Sequence, residues 1–168
     1  PITVAENMTV KAIAMKEGYD NSNVATAEYT IILGATTILS QNWEGEMNGW
    51  TFVTVTGSKP WSVAQNSGNH YAYANGYNGG ANEQWCISPA FNLDNYSDVT
   101  LSFVNAKNYT GPDMQLFISD DYDGTNAATA TWNELTYVKS AGSWAWVESG
   151  AVSLEGYSGT NCHIGYKY

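Results

Sequence analysis

The sequence predicts an all-β protein, and three observations support this class. Aromatic residues make up 14% of the 168 residues, and aromatic side chains suit the half-buried surface of a pleated sheet. Short apolar stretches alternate with Gly- and Asn-rich segments at a spacing of roughly a dozen residues, which is typical of sandwiches and jelly rolls. No stretch longer than a turn or two shows the 3.6-residue period of a helix.

Residues 1–34 predict a β-hairpin. Thr9–Met15 forms one strand candidate, turn residues follow it, and Val24–Leu33 alternates apolar and polar residues with the period of two that a strand requires. Two strands alone are not independently stable, so we expect the hairpin to belong to a larger module. A small, polar junction begins at Gly34, and the second domain is predicted to span 35–168.

The second domain reads as a series of short strands broken by Gly and Asn. The predicted strands are Ile38–Trp43, Trp50–Val55, Trp61–Ala64, His70–Ala74, Gln84–Ser88, Val99–Ala106, Met114–Ser119, Leu135–Val138, Trp146–Leu154 and Cys162–Tyr168. Their number and spacing predict a two-sheet domain of the jelly-roll type.

Charge and hydropathy exclude several partner classes. The net charge is −10, with six Lys and no Arg, so the chain lacks the basic face that nucleic acid requires. An anionic membrane surface is disfavoured for the same reason. No apolar run approaches the roughly twenty residues of a membrane span. Because the chain begins at Pro1 rather than Met, we read it as a mature piece of a larger protein whose flanking domains are partners.

The two cysteines, Cys86 and Cys162, both lie in strand-like segments. A pair of reduced, buried thiols is one interpretation, and a disulfide between neighbouring strands is the other. The sequence does not decide between them.

Residues 1–33 resemble the closing half of the small β-domain found at the C-terminus of chitobiase-type hexosaminidases. The residues that carry this resemblance read P-I-T-V-A-E-N-M-T-V-K-A-I-A, then G-Y-D-N-S, then A-T-A-E-Y-T-I. The resemblance implies that the hairpin is part of an Ig-like module.

Residues 38–168 resemble the cleaved-adhesin or choice-of-anchor J modules of Bacteroidetes surface proteins. The landmarks, in order, are W-E-G at 43–45, G-W at 49–50, Y-A-N at 73–75, W-C-I-S-P at 85–89, L-S-F at 101–103, I-S-D-D-Y-D-G at 118–124, T-W at 131–132 and I-G-Y-K-Y at 164–168. The resemblance implies a jelly roll akin to galactose-binding-like and MAM domains. It also implies that a closing strand after Tyr168 is missing, and that Cys86 replaces a usual aliphatic residue.

A calcium site is predicted from the resemblance and from the acidic loops. Glu44 follows Trp43 where related jelly rolls place a cation ligand, and Ca²⁺ takes six to eight oxygen ligands. Its candidate partners are Asp94, Asp120, Asp121 and Asp123. A solvated turn carboxylate is the alternative for Glu44, and an ordinary Asp-Gly turn is the alternative for the others, because an EF-hand loop would require Glu where Ala130 stands.

Four tryptophan or phenylalanine side chains are predicted to lie in the core of the second domain: Trp43, Trp50, Trp85 and Phe103. Trp146 coincides with a family landmark and is also expected to pack inside. Other aromatic and amide residues lie in loop-like contexts where they could bind a glycan, since aromatic faces stack on sugar rings and amides take the hydroxyls. The predicted ligand-binding residues are Trp61, Tyr77, Asn78 and Trp144.

Catalysis is not predicted. Glu44 and Glu46 could share a strand face as a glycosidase pair does, but no nucleophile–base arrangement accompanies them. His70 and His163 are interpreted as structural or surface histidines. The favoured function is a non-catalytic adhesion or glycan-binding module, outside the cell or on the outer-membrane surface, whose partner is a glycan or a surface protein. A structural spacer and an accessory domain of an extracellular hydrolase are the alternatives.

Overall fold

The protein is all-β in the computed structural model, which describes residues 7–30 and 34–168. No helix occurs in these residues, as the sequence predicts. The chain divides into two compact units, Pro1–Thr37 and Ile38–Tyr168, called unit 1 and unit 2 below. In the same described ranges, no helix has the length and apolar character needed to cross a bilayer.

Unit 1 contains the predicted antiparallel hairpin. Its strands are β1 (Met8–Ala12) and β2 (Ala25–Tyr29). Ser22 closes the connection, because its N–H donates to the Ala14 carbonyl at 3.0 Å and its hydroxyl accepts the Ala14 N–H at 3.0 Å. Both strands are shorter than predicted, and the end of the second predicted strand, 31–33, lies outside the described residues.

Unit 2 is built from eleven short strands. Their bounds are β3 Thr51–Thr56, β4 Ser62–Asn66, β5 Asn69–Tyr73, β6 Glu83–Ile87, β7 Thr100–Leu101, β8 Val104–Asn105, β9 Gln115–Ser119, β10 Asn133–Leu135, β11 Val147–Glu148, β12 Val152–Ser153 and β13 His163–Lys167. Each predicted strand of this unit overlaps at least one of these except the first, 38–43.

The prediction of a strand at 38–43 is wrong, and side-chain hydrogen bonds explain why. The Gln41 amide donates to the Met47 carbonyl at 3.0 Å and accepts from the Asn48 amide at 2.9 Å. Trp43 adopts a left-handed φ of 63°. Side-chain bonds of this kind compete with a strand ladder for the backbone groups, so the segment is irregular rather than extended in a sheet.

A five-stranded antiparallel sheet in the order β10-β9-β13-β6-β3 forms the centre of unit 2. It is covered on both faces. Four consecutive residues of β6, from Gln84 to Ile87, are therefore buried, and the strand lacks the alternation that a half-exposed sheet would show.

One face of this sheet carries the larger core. Leu116, Ile118 and Ile164 point from β9 and β13 into a cluster that includes Val152 and Leu154. Trp50, Trp61 and Cys86 form a neighbouring cluster. Three two-stranded sheets, β4-β5, β8-β11 and β7-β12, accompany the central sheet. Several antiparallel sheets with apolar clusters between them are consistent with a β-sandwich.

The strands predicted at 99–106 and 146–154 are each split in two, and Ser149 explains the break. Its hydroxyl accepts the Phe103 N–H at 2.9 Å, while its own N–H donates to the Phe103 carbonyl at 2.7 Å. A side chain thus replaces one backbone acceptor, and the ladder divides into β8-β11 and β7-β12 at that point.

The other face of the central sheet is covered by the loop 120–132. Trp132 packs on Trp85 with ring centroids 4.6 Å apart, and Tyr122 packs on Trp132 at 5.6 Å. The Trp132 ring N–H donates to the Ala127 carbonyl at 2.9 Å. The loop therefore behaves as a part of the core rather than as a surface connection.

The predicted core residues are found inside. Trp50 and Trp85 are buried, and Trp43 and Phe103 are partly buried against the same clusters. Trp146 is different: about half of its side chain is exposed, so its expected place in the core is wrong.

Both cysteines are buried and free. Strand register explains why they cannot pair, since Tyr166 lies opposite Cys86 while Phe91 lies opposite Cys162. Four residues along a strand correspond to about 13 Å, well beyond the roughly 7 Å Cα separation that a disulfide tolerates. Of the two open interpretations, the reduced, buried pair is the one the fold contains.

Candidate functional site

Trp61, one of the predicted ligand-binding residues, is buried. Its exposed fraction is 6%, and its ring N–H donates to the Gln84 carbonyl at 3.2 Å. The residue lies immediately before β4, and its side chain packs in the cluster with Trp50. The expectation that Trp61 is half exposed is wrong, and its ring cannot stack on a sugar from solvent.

Tyr77 and Asn78 lie at the tip of an exposed loop. The Tyr77 side chain is 77% exposed, and its N–H donates to the Asn75 side chain at 2.9 Å. Asn78 has a left-handed φ of 54°, a conformation that Asn tolerates better than most residues. The loop presents both residues to solvent.

Trp144 is exposed, as the glycan prediction requires, and has an aromatic partner. Its ring is 46% exposed and meets Tyr109 edge to face at a centroid distance of 6.4 Å. The backbone N–H of Trp144 donates to the Lys107 carbonyl at 3.0 Å. Ser143 and Trp144 have φ values of 57° and 59°. A bulky residue in this region is strained and needs support from its surroundings.

Trp146 also holds its ring at the surface through tyrosine contacts. It meets Tyr71 edge to face at 5.3 Å, and Tyr71 meets Tyr73 at 6.4 Å. In β5 the intervening Ala72 packs into the core, so both tyrosines must point to the opposite side. We call the rings of Tyr71, Tyr73, Tyr109, Trp144 and Trp146 the aromatic platform.

The tyrosines of the platform were not predicted from the sequence. The Y-A-Y alternation at 71–73 is the available signal, because a small residue facing inward leaves its large neighbours facing outward. Nothing in the sequence places this strand beside Trp146, since that contact joins residues 75 positions apart.

The Asn105 side chain joins residues 138–140 to Val147, the first residue of β11. Its amide donates to the carbonyls of Val138 at 2.9 Å and Val147 at 3.1 Å, and its side-chain oxygen accepts the Ser140 N–H at 2.8 Å. The Ser140 hydroxyl in turn donates to the Ala145 carbonyl at 2.7 Å. These bonds fix the backbone of the turn that carries both tryptophans.

Two lysines and one carboxylate lie at the Trp144 end of the platform. The Lys107 ammonium is 2.7 Å from one Asp113 oxygen, and the Lys139 ammonium is 3.6 Å from the other. Lys107 also donates to the Gly111 carbonyl at 2.9 Å. The hydrogen bond from Lys107, and the charges of both lysines, lower the pKa of Asp113.

Glu44, the predicted centre of the calcium site, is paired with His70. One carboxylate oxygen accepts the His70 N–H at 2.9 Å, and the other lies 2.6 Å from the His70 ring Nδ1. The backbone bond, followed by the side-chain bond, lowers the pKa of Glu44. Both oxygens are therefore engaged in joining the W-E-G turn to β5, which is a structural role.

The four predicted aspartates fall into two places. Asp121 accepts the Thr131 N–H at 2.7 Å and Asp123 accepts the Thr125 N–H at 2.8 Å, so both serve the loop 120–132. Asp94 accepts the Gly159 N–H at 2.5 Å, and a Cβ on Gly159 would lie 4.0 Å from that of Asp120. The fold thus brings Asp94 and Asp120 to one glycine.

These contacts test how well the residues fit a Ca²⁺ ion. Each Glu44 oxygen already has one His70 partner, so an ion there would share the carboxylate with that residue. In residues 7–30 and 34–168, no group of three or more His, Cys, Asp and Glu side chains is arranged to hold a metal. An ion beside Asp94 and Asp120 would need backbone carbonyls and water to complete its six to eight ligands.

No protein-family model, curated protein or solved structure matches this chain.

Proposed function

We propose that unit 2 is a non-catalytic glycan-binding module that uses the aromatic platform as its binding surface. The observation that carries the proposal is the pair of half-exposed tryptophans, Trp144 and Trp146, each held by an edge contact with a tyrosine. Two rings of this size on the surface leave apolar area in water, which a monomeric domain normally avoids unless the area binds something.

The chemistry of the platform suits a sugar. The face of an indole is apolar and electron-rich, and it packs against the C–H groups of a pyranose ring, while hydrogen-bonding groups at the rim take the hydroxyls. Lys107, Asp113 and Lys139 supply such groups beside Trp144. A mixed rim of donors and acceptors favours a polyhydroxylated ligand over a purely apolar one.

A jelly-roll fold and a place in a larger surface or secreted protein complete the proposal. The all-β architecture supports the first, and the resemblance of residues 38–168 to adhesin modules supports the second. The engagement of Glu44 by His70 supports a non-catalytic role, because a glycosidase needs that carboxylate free to exchange protons with its substrate.

A spacer domain is the weaker alternative. A spacer needs no exposed aromatic groups, and selection for solubility favours burying them. An accessory domain of a hydrolase is compatible with the same platform, since it would bind a glycan for a catalytic domain elsewhere in the protein.

A glycan array with purified variants of the chain tests the proposal. We expect wild type to bind a subset of glycans, and Trp144→Ala and Trp146→Ala to bind the same subset about 30-fold more weakly, since a buried aromatic anchor often contributes about 2 kcal/mol. Tyr96→Ala is the matched control, because Tyr96 is comparably exposed, at 47%, but is not part of the platform. Equal binding by all three variants would refute the assignment, and hydrolysis of a bound glycan would refute the non-catalytic role.

We also propose that unit 2 binds one Ca²⁺ beside Gly159, with Asp94 and Asp120 as its side-chain ligands. The support is that the Asp94 carboxylate and the Cβ of Asp120 both lie close to Gly159, in a chain of net charge −10. The ion would be structural, as in the jelly rolls that the sequence resembles.

A further inference from the structure

We propose that the ligand of the aromatic platform is an acidic glycan, whose carboxylate or sulfate group binds between Lys107 and Lys139. This inference rests on the proposed function and adds the chemical class of the ligand. Its basis is a pair of lysines around one carboxylate, an arrangement found once among the ion pairs of residues 7–30 and 34–168.

The arrangement places two cations around one anion. Lys107 and Lys139 are two of only six lysines in a chain of net charge −10, and both reach Asp113. The three groups together carry one net positive charge. The net negative charge of the protein repels an acidic ligand, so a group with net positive charge determines where the acidic group of that ligand can bind.

Asp113 marks the position that an anionic oxygen prefers. Its two oxygens lie 2.7 Å and 3.6 Å from the two ammonium groups. About 45% of the Asp113 side chain is exposed, so a ligand can approach the same ammonium groups from solvent. A lysine ammonium group has three N–H donors on a flexible stem, so one ammonium group can donate to two acceptors at the same time.

Backbone hydrogen bonds connect the charged group to the turn that carries Trp144. The Lys107 carbonyl accepts the Trp144 backbone N–H at 3.0 Å, so the backbone of Lys107 adjoins the backbone of the residue whose ring would stack the sugar. Lys139 precedes Ser140, which Asn105 ties to the same turn. A sugar ring on Trp144 therefore brings its substituents within reach of the two ammonium groups.

The other end of the platform sets the orientation. Glu148 lies two residues beyond Trp146 and pairs in register with Val104, so its carboxylate is on the same side of the strand as Trp146. This end repels an anion. The acidic group of a bound glycan is therefore expected at the Trp144 end, with neutral sugars toward Trp146.

Calorimetric titration with three oligosaccharides of equal length tests the inference: a neutral one, one that contains uronic acid and one that is sulfated. We expect wild type to bind at least one acidic probe about fivefold more tightly than the neutral probe at low salt, since exposed ion pairs contribute modestly. The preference should disappear in 0.5 M salt, where the Debye length is roughly 4 Å. The two acidic probes distinguish carboxylate from sulfate as the bound group.

The double variant Lys107→Gln/Lys139→Gln should bind the acidic and neutral probes equally well, while Lys11→Gln, on the hairpin of unit 1, should change nothing. Asp113→Asn should strengthen acidic binding. Neutral and acidic probes bound equally well by wild type would overturn this inference and leave the proposed function intact. Binding of no probe, or acidic binding unaffected by Trp144→Ala, would overturn both.

Discussion

At the scale of single residues, Gly165 shows how closely the loop 120–132 packs on one face of the central sheet. It lies on β13 beneath the rings that cover the sheet, and a Cβ there would lie 2.8 Å from a Trp132 ring carbon and 3.0 Å from two of Trp85. Contacts this short do not occur without displacement, and both rings are themselves fixed by neighbours. Only glycine fits beneath this aromatic pair.

We therefore expect Gly165→Ala to destabilise unit 2 by about 1–3 kcal/mol, the usual cost of overpacking a core. Chemical denaturation of the intact chain measures the change. Gly45→Ala is the control, because a Cβ at Gly45 meets nothing within 4 Å and the backbone is not left-handed there. It should change the free energy of unfolding by less than about 0.5 kcal/mol. Equal stability of the two variants would contradict the account.

Single residues also show the limit of sequence-based prediction. Trp61 and Trp144 both follow turn-like segments and both read as exposed aromatic side chains. Trp61 immediately precedes β4 and points inward, while Trp144 stands at a left-handed turn and points outward. The difference is set by the register of β4 with β5 and by the Asn105 bonds, which depend on residues far away in the chain.

At the scale of elements, the loop 120–132 acts as a lid on one face of the sheet and is organised by carboxylates. Hydrogen bonds from the Thr131 side chain and backbone, and then from the Ser119 hydroxyl, lower the pKa of Asp121. Hydrogen bonds from Thr125 and then Asn126 lower the pKa of Asp123 in the same way. The charged forms of both groups are thus favoured by the folded loop.

A depressed pKa in the folded state gives stability that is present above the unfolded pKa of roughly 3.9 and is lost as pH falls through the folded value. We expect the thermal midpoint of wild type to fall between pH 5 and pH 2. Asp121→Asn should lower the midpoint at pH 7 and flatten this pH dependence. The exposed Asp20→Asn is the comparison and should leave both unchanged. A wild-type slope retained by Asp121→Asn would assign the acid sensitivity to other groups.

The sequence predicts individual strands more accurately than it predicts the contacts between distant segments. The hairpin of unit 1 and most strands of unit 2 follow from local alternation, which needs only neighbouring residues. The predicted strand at 38–43 does not form, because Gln41 makes side-chain hydrogen bonds there instead. The burial of Trp132 depends on a loop that folds back across the sheet. Contacts of this kind join distant segments and leave no periodic signal.

At the scale of the whole molecule, net charge decides how the protein meets ions and ligands. The chain has sixteen Asp and Glu residues and six lysines, so it repels anionic ligands, and its own carboxylates repel one another. Two places on unit 2 differ in charge. Lys107 and Lys139 flank Asp113, whereas the Asp94 carboxylate and the Cβ of Asp120 both lie close to Gly159. We propose that the first place binds an anion and the second a cation.

The second place gives the last prediction, that a Ca²⁺ ion stabilises the folded chain. A cation that binds only the folded form stabilises it by about 2.7 kcal/mol at a hundredfold excess over its Kd. The thermal midpoint should fall in EDTA and recover with Ca²⁺, but recover less with Mg²⁺, which demands a stricter octahedron. Asp120→Asn should abolish the response, and Glu44→Gln should preserve it, because His70 already engages Glu44. Loss of the response in Glu44→Gln would return the site to Glu44, and a midpoint insensitive to EDTA in a calcium-loaded sample would remove the ion altogether.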